Sequence, residues 1–213
     1  IDLVPDDTSH QNLVRYQGNV LDSRFLDRVF KETRPDIVFH CAAVLPHSTR
    51  NSSFVWDSNV EGTRRVAEAT KQHQVEKLVY ISTSALWGKS IGKPVTEQDT
   101  PIPVEIYGRS KMEAEKVLLG YRNNFHSIIF RCPAIIDEGR LGLLAILFEF
   151  INEDRKIWVL GEGKNRYQFL YGRDLVQACI MAIKHAHSEI INVGSDDVKS
   201  MREIYEHVID KAG

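Results

Sequence analysis

The chain has 213 residues, about 1.4 domains of the usual size, so we expect one domain or a domain and a half. Its composition, 43% hydrophobic and 26% charged, is that of a globular protein and argues against a disordered, fibrous or low-complexity chain. Lysine and arginine total 27, aspartate and glutamate total 29, and the charges form no basic cluster. A surface that binds nucleic acid is therefore not expected.

The spacing of the cysteines and the hydropathy of the chain predict the cellular compartment of the protein. The cysteines, Cys41, Cys132 and Cys179, are far apart and lack the spacing of a disulfide framework or a zinc site. We expect them to be core thiols in a reducing compartment, with the cytoplasm as the predicted location and no metal. The longest apolar stretch, 141–151, is about half of the roughly 20 residues that span a bilayer. It is interpreted as a buried helix, and no membrane contact is predicted.

Short runs rich in β-branched and aromatic residues alternate with helical patterns along the chain. Strands are predicted at 36–41, 77–82, 127–131 and 189–193, and helices at 22–33, 53–73, 106–122, 173–185 and 200–212. Strands that alternate with helices form a parallel sheet covered on both faces. The predicted fold class is therefore α/β, a doubly wound, Rossmann-like and mostly parallel sheet. Ligands bind at the carboxyl ends of such strands, so the site is expected in the loops that follow them.

A tyrosine and a lysine stand four residues apart at the start of a predicted helix. Tyr107 and Lys111 therefore lie on one face of it. A neighbouring positive charge lowers the pKa of a phenol from about 10, which would let Tyr107 act as an acid or a base nearer neutral pH. An ordinary surface tyrosine and lysine would give the same spacing, and the spacing alone leaves this alternative open.

Three consecutive hydroxyl residues follow the strand predicted at 77–82 or end it: Ser82, Thr83 and Ser84. Hydroxyl groups at the carboxyl end of a strand can polarise a carbonyl or an alkoxide held beside the tyrosine. A turn stabilised by serine and threonine is the alternative interpretation.

Taken in order, these motifs resemble the extended short-chain dehydrogenase/reductase family, in particular its NAD-dependent epimerase and dehydratase group. The resemblance covers nearly the whole chain. Besides Thr83, Trp87-Gly88, Tyr107 and Lys111, the matching segments are Gly18 to Asp22, His40 to Ala43, Asn59 to Thr63, Arg131 to Pro133 and Tyr171 to Asp174. It implies a Rossmann-like fold, NAD as the cofactor and a small-molecule substrate, a nucleotide sugar.

The resemblance implies catalytic roles for three residues. Tyr107 would be the acid/base, Lys111 would bind the nicotinamide ribose and lower the tyrosine pKa, and Thr83 would bond the reacting oxygen. Contacts with the substrate are expected for Ser84, His47 and Arg166, although His47 and Arg166 could equally be solvated.

The resemblance also implies a set of NAD-binding residues. Asp2 would accept hydrogen bonds from the adenosine ribose and repel a 2′-phosphate, which favours NAD over NADP; an exposed acid near a terminus is the alternative. Asn19 and Val20 would form the adenine pocket. The other predicted NAD contacts are His40, Ala42, Ala43, Asn59, Ser82, Tyr107, Lys111, Pro133 and Ile135. For Asn59, a buried amide that satisfies backbone groups is an equal alternative.

The leading hypothesis is an NAD-dependent epimerase or dehydratase that acts on a nucleotide sugar. A dehydrogenase or reductase of the 3β-hydroxysteroid or flavonol type would use the same residues for net redox chemistry. A non-catalytic dinucleotide-binding scaffold is the third possibility. By analogy, the helix that begins near Tyr107 could pair two subunits as a homodimer.

The resemblance also predicts the domain organisation. Residues 1–136 would form the NAD-binding domain, and 137–213 a partial substrate-binding region mixed with late elements of the sheet. The family's glycine-rich turn, which places the pyrophosphate at a helix N-terminus, has no counterpart, because one residue precedes Asp2. We therefore expect the native protein to be longer at both ends and the printed chain alone to bind NAD poorly.

Overall fold

The computed structural model describes residues 1–4, 10–45, 48–49, 51–89, 92–138, 142–159 and 161–212, without the side chain of Leu143. Packing divides the chain into two compact units. The first comprises 1–131 and 182–192, and the second the described parts of 132–181 and 193–213. The functional boundary predicted at residue 136 stays a prediction.

The described chain contains short strands and longer helices. The strands are β1 (Ile37–His40), β2 (Lys77–Thr83), β3 (His126–Cys132), β4 (Ala134–Ile136), β5 (Arg166–Tyr167), β6 (Phe169–Tyr171), β7 (Glu189–Asn192) and β8 (Lys199–Ser200). The helices are α1 (Ser23–Thr33), α2 (Ser52–Trp56), α3 (Gly62–Gln72), α4 (Ile106–Leu119), α5 (Ala145–Asn152), α6 (Gly172–Lys184) and α7 (Met201–Ala212).

The first unit contains a four-stranded sheet with the spatial order β1-β2-β3-β7. β1 pairs with β2 in parallel, and β3 pairs with β7 in parallel. In β2, the successive residues Leu78, Val79 and Tyr80 are all buried. Since successive side chains point to opposite faces, both faces of this strand are covered. The predicted α/β, mostly parallel sheet is confirmed.

Helix α1 shows how sequence signals set an element. It begins after Asp22, whose side chain accepts hydrogen bonds from the backbone N–H groups of Arg24 and Phe25. It ends at Arg34, which has the left-handed conformation and precedes a proline. Its apolar side packs with α3, α4, β2 and β3 in the main core.

The helix predicted over 53–73 is not regular. α2 ends at Trp56, a π-helical segment covers Asp57–Glu61, and α3 starts at Gly62. The π segment places Asn59 and its neighbours in the interior, where the Asn59 amide bonds the backbone of Val44. Segments of this kind are frequent at functional sites.

The second unit holds two small sheets. β4 pairs with β6 in parallel, and β5 pairs with β8 in antiparallel orientation. The apolar stretch predicted as a buried helix forms α5, which buries Leu147 but exposes Ile146. The predicted buried helix is therefore confirmed in part, because the helix is buried on one side only. Within the described residues, no helix is long and apolar enough to cross a membrane.

The prediction that all three cysteines are core thiols is also wrong. Cys132 is buried and Cys179 is half-buried, but Cys41 is exposed. β1 ends at His40, so Cys41 lies beyond the sheet edge and not between packed layers.

Candidate active site

Tyr107 and Lys111 lie one turn apart in the first half of α4. Lys111 is 1% exposed, its Nζ donates to the carbonyl oxygen of Ile81 at 2.6 Å, and the same atom lies 4.0 Å from the centre of the Tyr80 ring. Tyr107 is half-buried. A solvated surface pair is thus excluded for Lys111. A positive charge is instead fixed against β2 by a residue one helical turn after Tyr107.

Gly108 brings the first turn of α4 against the turn that follows β2. A Cβ atom at this position would lie 2.3 Å from the carbonyl oxygen of Ala85 and 3.0 Å from Cβ of Pro103. The Thr83 hydroxyl accepts a hydrogen bond from the backbone N–H of Ala85 at 3.1 Å. The missing side chain of Gly108 therefore lets the segments that carry Tyr107 and Thr83 pack directly on each other.

The two serines that flank Thr83 differ in environment. Ser82 is buried, and its hydroxyl donates to Oε1 of Glu115 at 2.5 Å. Ser84 is exposed at the start of the short 3₁₀ turn Ser84–Leu86. Ser82 thus directs its side chain toward α4, and its predicted contact with NAD stays a prediction.

Sequence reasoning missed a buried ion pair next to Ser82. Arg131 of β3 binds Glu115 of α4 through Nη2 to Oε2 at 2.8 Å and through Nε to both carboxylate oxygens at 3.2 Å. Both side chains are about 95% buried. An arginine inside the apolar run 127–132 was the available signal, because a charge inside a buried strand requires a partner.

Asn59 ties the loop after β1 to α4. Its amide oxygen accepts from the backbone N–H of Val44 at 2.7 Å, and its Nδ2 donates to the carbonyl oxygen of Val44 and to Oγ of Ser110, both at 3.0 Å. The Ser110 hydroxyl donates in turn to the carbonyl oxygen of Tyr107 at 2.8 Å. These contacts occupy both donors of the Asn59 amide, which supports the structural alternative for this residue.

His40 is a buried, neutral imidazole at the end of β1. The Thr63 hydroxyl donates its proton to the carbonyl oxygen of Asn59 at 2.7 Å, so Nε2 of His40, 2.9 Å from the same hydroxyl oxygen, is the donor in their contact. Burial, with a contribution from the Lys111 charge, lowers the pKa of His40 to about 3. The ring therefore carries no charge at neutral pH, and its centre lies 5.3 Å from that of the Tyr80 ring, with the two rings tilted by 34°.

A cleft of about 360 Å³ opens beside the end of β1. Six predicted NAD-binding residues line it: Asp2, Asn19, Val20, His40, Ala42 and Ala43. Its volume lies within the range of about 300–1,000 Å³ that is usual for ligand sites. The apolar side chains of Leu26, Phe30 and Val38 complete the wall. The structure thus brings together residues that are up to 41 positions apart in the sequence.

Two glycines set the position of Asn19 and Val20, the residues predicted to form the adenine pocket. A Cβ atom on Gly18 would lie 2.3 Å from the Phe25 ring, and one on Gly62 would lie 2.9 Å from Val20. Asn19 uses its side-chain oxygen to accept from the backbone N–H of Leu21 at 2.9 Å, which leaves that oxygen a second lone pair. The close approaches at these glycines hold residues 19 and 20 at the mouth of the cleft.

Asp2 is exposed and lies beside the segment around Gln17, with which it forms a parallel bridge. Its backbone N–H donates to the carbonyl oxygen of Tyr16 at 3.2 Å, and its own carbonyl accepts from Gly18 at 2.9 Å. Its carboxylate accepts from the backbone N–H of Val4 at 3.0 Å. The backbone pairing fixes Asp2 next to Asn19 at the cleft.

Three of the other predicted residues lie in the second unit. Pro133 and Ile135 belong to the second unit, where Ile135 pairs with Leu170. Arg166 is also in the second unit, exposed, with Nη2 donating to the carbonyl oxygen of Val198 at 2.7 Å. His47 lies outside the described residues. Among the described residues, no group of three or more histidine, cysteine or acidic side chains could hold a metal ion.

The sequence profile of the NAD dependent epimerase/dehydratase family matches residues 4–194. The chain belongs to this family. The match starts just after Asp2 and includes Thr83, Tyr107 and Lys111 as well as β7. Family membership accounts for the Rossmann-like sheet and for the cleft at its carboxyl edge.

Comparisons with individual proteins show how much of its relatives this chain covers. An uncharacterized protein of Sinorhizobium fredii is 34% identical over 99% of this chain and 53% of its own length. The dTDP-D-glucose 4,6-dehydratase of Dictyostelium discoideum is 28% identical over 93% of this chain and 50% of its own length. The chain therefore spans about half the length of these curated relatives.

A solved structure shows the same fold. The UDP-glucose 4-epimerase of Thermotoga maritima, crystallised with UDP-glucose, superimposes with a TM-score of 0.87 at 22% identity. The match covers 96% of this chain and 70% of that chain.

Proposed function

We propose that this chain carries the catalytic residues of an NAD-dependent epimerase or dehydratase that acts on a nucleotide sugar. The observation that carries the proposal is the buried ammonium group of Lys111, held one turn from Tyr107 on a helix that packs against the turn after Thr83. The names of the relatives, which are dehydratases and epimerases of dTDP- and UDP-sugars, supply the substrate class.

Tyr107 accepts the proton from a sugar hydroxyl in this proposal. The Lys111 ammonium favours the phenolate electrostatically, because an opposite charge nearby lowers the pKa of a phenol. The Thr83 hydroxyl donates a hydrogen bond to the same sugar oxygen and orients it. NAD, when bound, supplies the hydride acceptor for the carbon that carries this oxygen.

The cleft beside β1 fits the adenosine half of NAD. Asp2 presents a carboxylate to the ribose hydroxyls, and a carboxylate at this place disfavours the 2′-phosphate of NADP. Asn19 and Val20 contact the adenine, while the backbone from His40 to Ala43 runs along the cofactor. Pro133 and Ile135 are proposed at the nicotinamide, and Ser84, His47 and Arg166 at the substrate. Pairing of two copies through α4 is part of the same proposal.

Mass spectrometry of the small molecules that copurify with the full-length protein tests the cofactor and the substrate class. The expected result is NAD together with a UDP- or dTDP-sugar. Proton NMR of purified protein with UDP-glucose and dTDP-glucose then follows conversion to the 4-epimer or the 4-keto-6-deoxy sugar. Accumulation of NADH with a steroid or flavonol alcohol would instead identify a net oxidoreductase.

The variant Tyr107→Phe tests the catalytic assignment. We expect kcat to fall by about 10²- to 10⁴-fold, the usual contribution of a general acid or base, with NAD binding retained. Tyr121→Phe is the matched control, because it removes a phenol just beyond the other end of α4. Wild-type kcat in Tyr107→Phe would refute the assignment, and full retention of every cellular effect would favour a dinucleotide-binding scaffold.

A further inference from the structure

We infer that Glu115 and Arg131 form a buried charge pair that positions Lys111 and Thr83 in the candidate active site. Both are positioning residues, since neither is proposed to touch substrate or cofactor. The inference rests on the proposed function for its catalytic meaning.

Glu115 and Arg131 hydrogen-bond each other, and Glu115 also hydrogen-bonds β2. Three hydrogen bonds join the Arg131 guanidinium to the Glu115 carboxylate, at 2.8, 3.2 and 3.2 Å. The same carboxylate accepts the Ser82 hydroxyl at 2.5 Å. All three side chains are at least 95% buried. Geometry of this kind leaves the carboxylate little freedom to rotate.

The hydrogen bond between Glu115 and Ser82 connects the charge pair to the candidate active site. Ser82 stands between Ile81, whose carbonyl oxygen holds Lys111, and Thr83. Glu115 stands one helical turn after Lys111 on α4. Two side chains four residues apart on the helix therefore hold two consecutive residues of the strand. Any slip of the strand end along the helix would lengthen both hydrogen bonds and move Thr83 with them.

The arginine extends the same network to the segment that leads into α4. Its Nη1 donates to the carbonyl oxygen of Glu97 at 3.4 Å, and its guanidinium lies 5.2 Å from the Trp87 ring centre. The Glu97 carboxylate accepts the backbone N–H of Asn192 at 2.7 Å. The ends of β2, β3 and β7 and the approach to Tyr107 are thus joined through one charge pair.

Stability alone gives a weak reason for such a pair. Replacing both members of a buried ion pair by apolar residues of similar volume is often neutral for folding, whereas removing one member is strongly destabilising. The double variant Glu115→Met/Arg131→Met therefore separates positioning from stability. Ser82→Ala provides a milder variant that cuts only the link to the strand. Ser127→Ala, a buried serine at the other end of the sheet on β3, is the matched control.

The experiment measures kcat and KM of the NAD-loaded protein with its nucleotide sugar, and the pKa of Tyr107 by NMR of ¹³Cζ-labelled tyrosine. The Tyr107 resonance is assigned with Tyr107→Phe. In the double variant we expect a thermal midpoint close to wild type, a kcat about 10- to 100-fold lower and a KM little changed, as misplacement of reacting groups produces. The pKa of Tyr107 should rise toward its ordinary value of about 10. Ser82→Ala should shift both quantities in the same direction, and Ser127→Ala neither.

A folded double variant with wild-type kcat and an unchanged Tyr107 titration would overturn the inference. If the double variant does not fold, Ser82→Ala decides by the same two measurements. A wild-type protein that converts no nucleotide sugar would defeat the proposed function, yet the tyrosine titration would still test the positioning. An active wild type with unaffected variants would defeat the inference alone.

Discussion

Replacing Gly108 by alanine should damage activity as well as stability. The new Cβ atom would lie 2.3 Å from the carbonyl oxygen of Ala85, where ordinary contact begins at 3.4 Å, so the turn and the helix must separate by about 1 Å. Overpacking of this kind costs about 1–3 kcal/mol, and the better helix propensity of alanine returns up to about 1 kcal/mol. The net loss of stability is therefore about 0–3 kcal/mol.

The same separation moves Tyr107 away from Thr83. A misplacement of about 1 Å can cost about 100-fold in rate, which corresponds to about 2.7 kcal/mol of transition-state stabilisation. Steady-state kinetics with the nucleotide sugar, beside urea unfolding, measures both effects. Gly120→Ala is the control, because Gly120 lies just beyond the last turn of α4 and its Cβ would be 3.1 Å from the nearest neighbouring atom. Unchanged kcat in Gly108→Ala would refute the argument that this close approach sets the site.

Two further predictions concern stability. Lys77 is buried, and its ammonium donates to the carbonyl oxygen of Ile183 at 2.5 Å in the last turn of α6. The variant Lys77→Met should therefore lower the free energy of unfolding, measured by urea titration, by about 1–3 kcal/mol. Its kcat should stay at the wild-type value. The pKa of His40 is lowered to about 3 in the folded state, so the unfolded chain binds the proton first as the pH falls. The contribution of the neutral His40 to stability is therefore complete above pH 6.5 and is lost as the pH falls toward 3. When the pH falls from 8 to 5, the free energy of unfolding should decrease by about 2 kcal/mol more in the wild type than in His40→Gln. Equal decreases in the two proteins, measured by urea titration at both pH values, would contradict a buried neutral imidazole.

The sheet could be predicted because its central strands, β2 and β3, are buried on both faces. The run 77–82 is almost continuously apolar, and the structure places β2 at Lys77–Thr83. The π-helical segment at Asp57–Glu61 could not be predicted, because one extra residue in a turn barely changes the apolar periodicity over a long helix. The exposure of Cys41 depends on β1 ending one residue earlier than its apolar pattern suggests. Such boundaries are set by tertiary contacts and not by local preference.

The candidate site, like the fold, has parts that the sequence predicts and parts that it does not. Tyr107 and Lys111 are four residues apart, so the sequence alone places them on one face of a helix. Ser82, Glu115 and Arg131 come from three elements and meet only in the folded chain. The position of Arg131 inside an apolar run indicates that its charge needs a buried partner, but local pattern carries no information about which partner it will find.

Helix α4 shows why those polar contacts matter for a rigid site. Its second half is anchored by apolar packing, with Ala114 and Leu118 fully buried in the main core. Its first half carries the functional groups and has the buried polar residues Ser110 and Lys111 where a helix packed only by apolar contacts would have leucine or valine. Hydrogen bonds have a fixed direction, unlike apolar contacts, so they hold the first turns at a defined distance from the strand ends. Tyr107 is therefore placed by the polar half of α4 and kept there by the apolar half, an arrangement suited to catalytic geometry that tolerates little displacement.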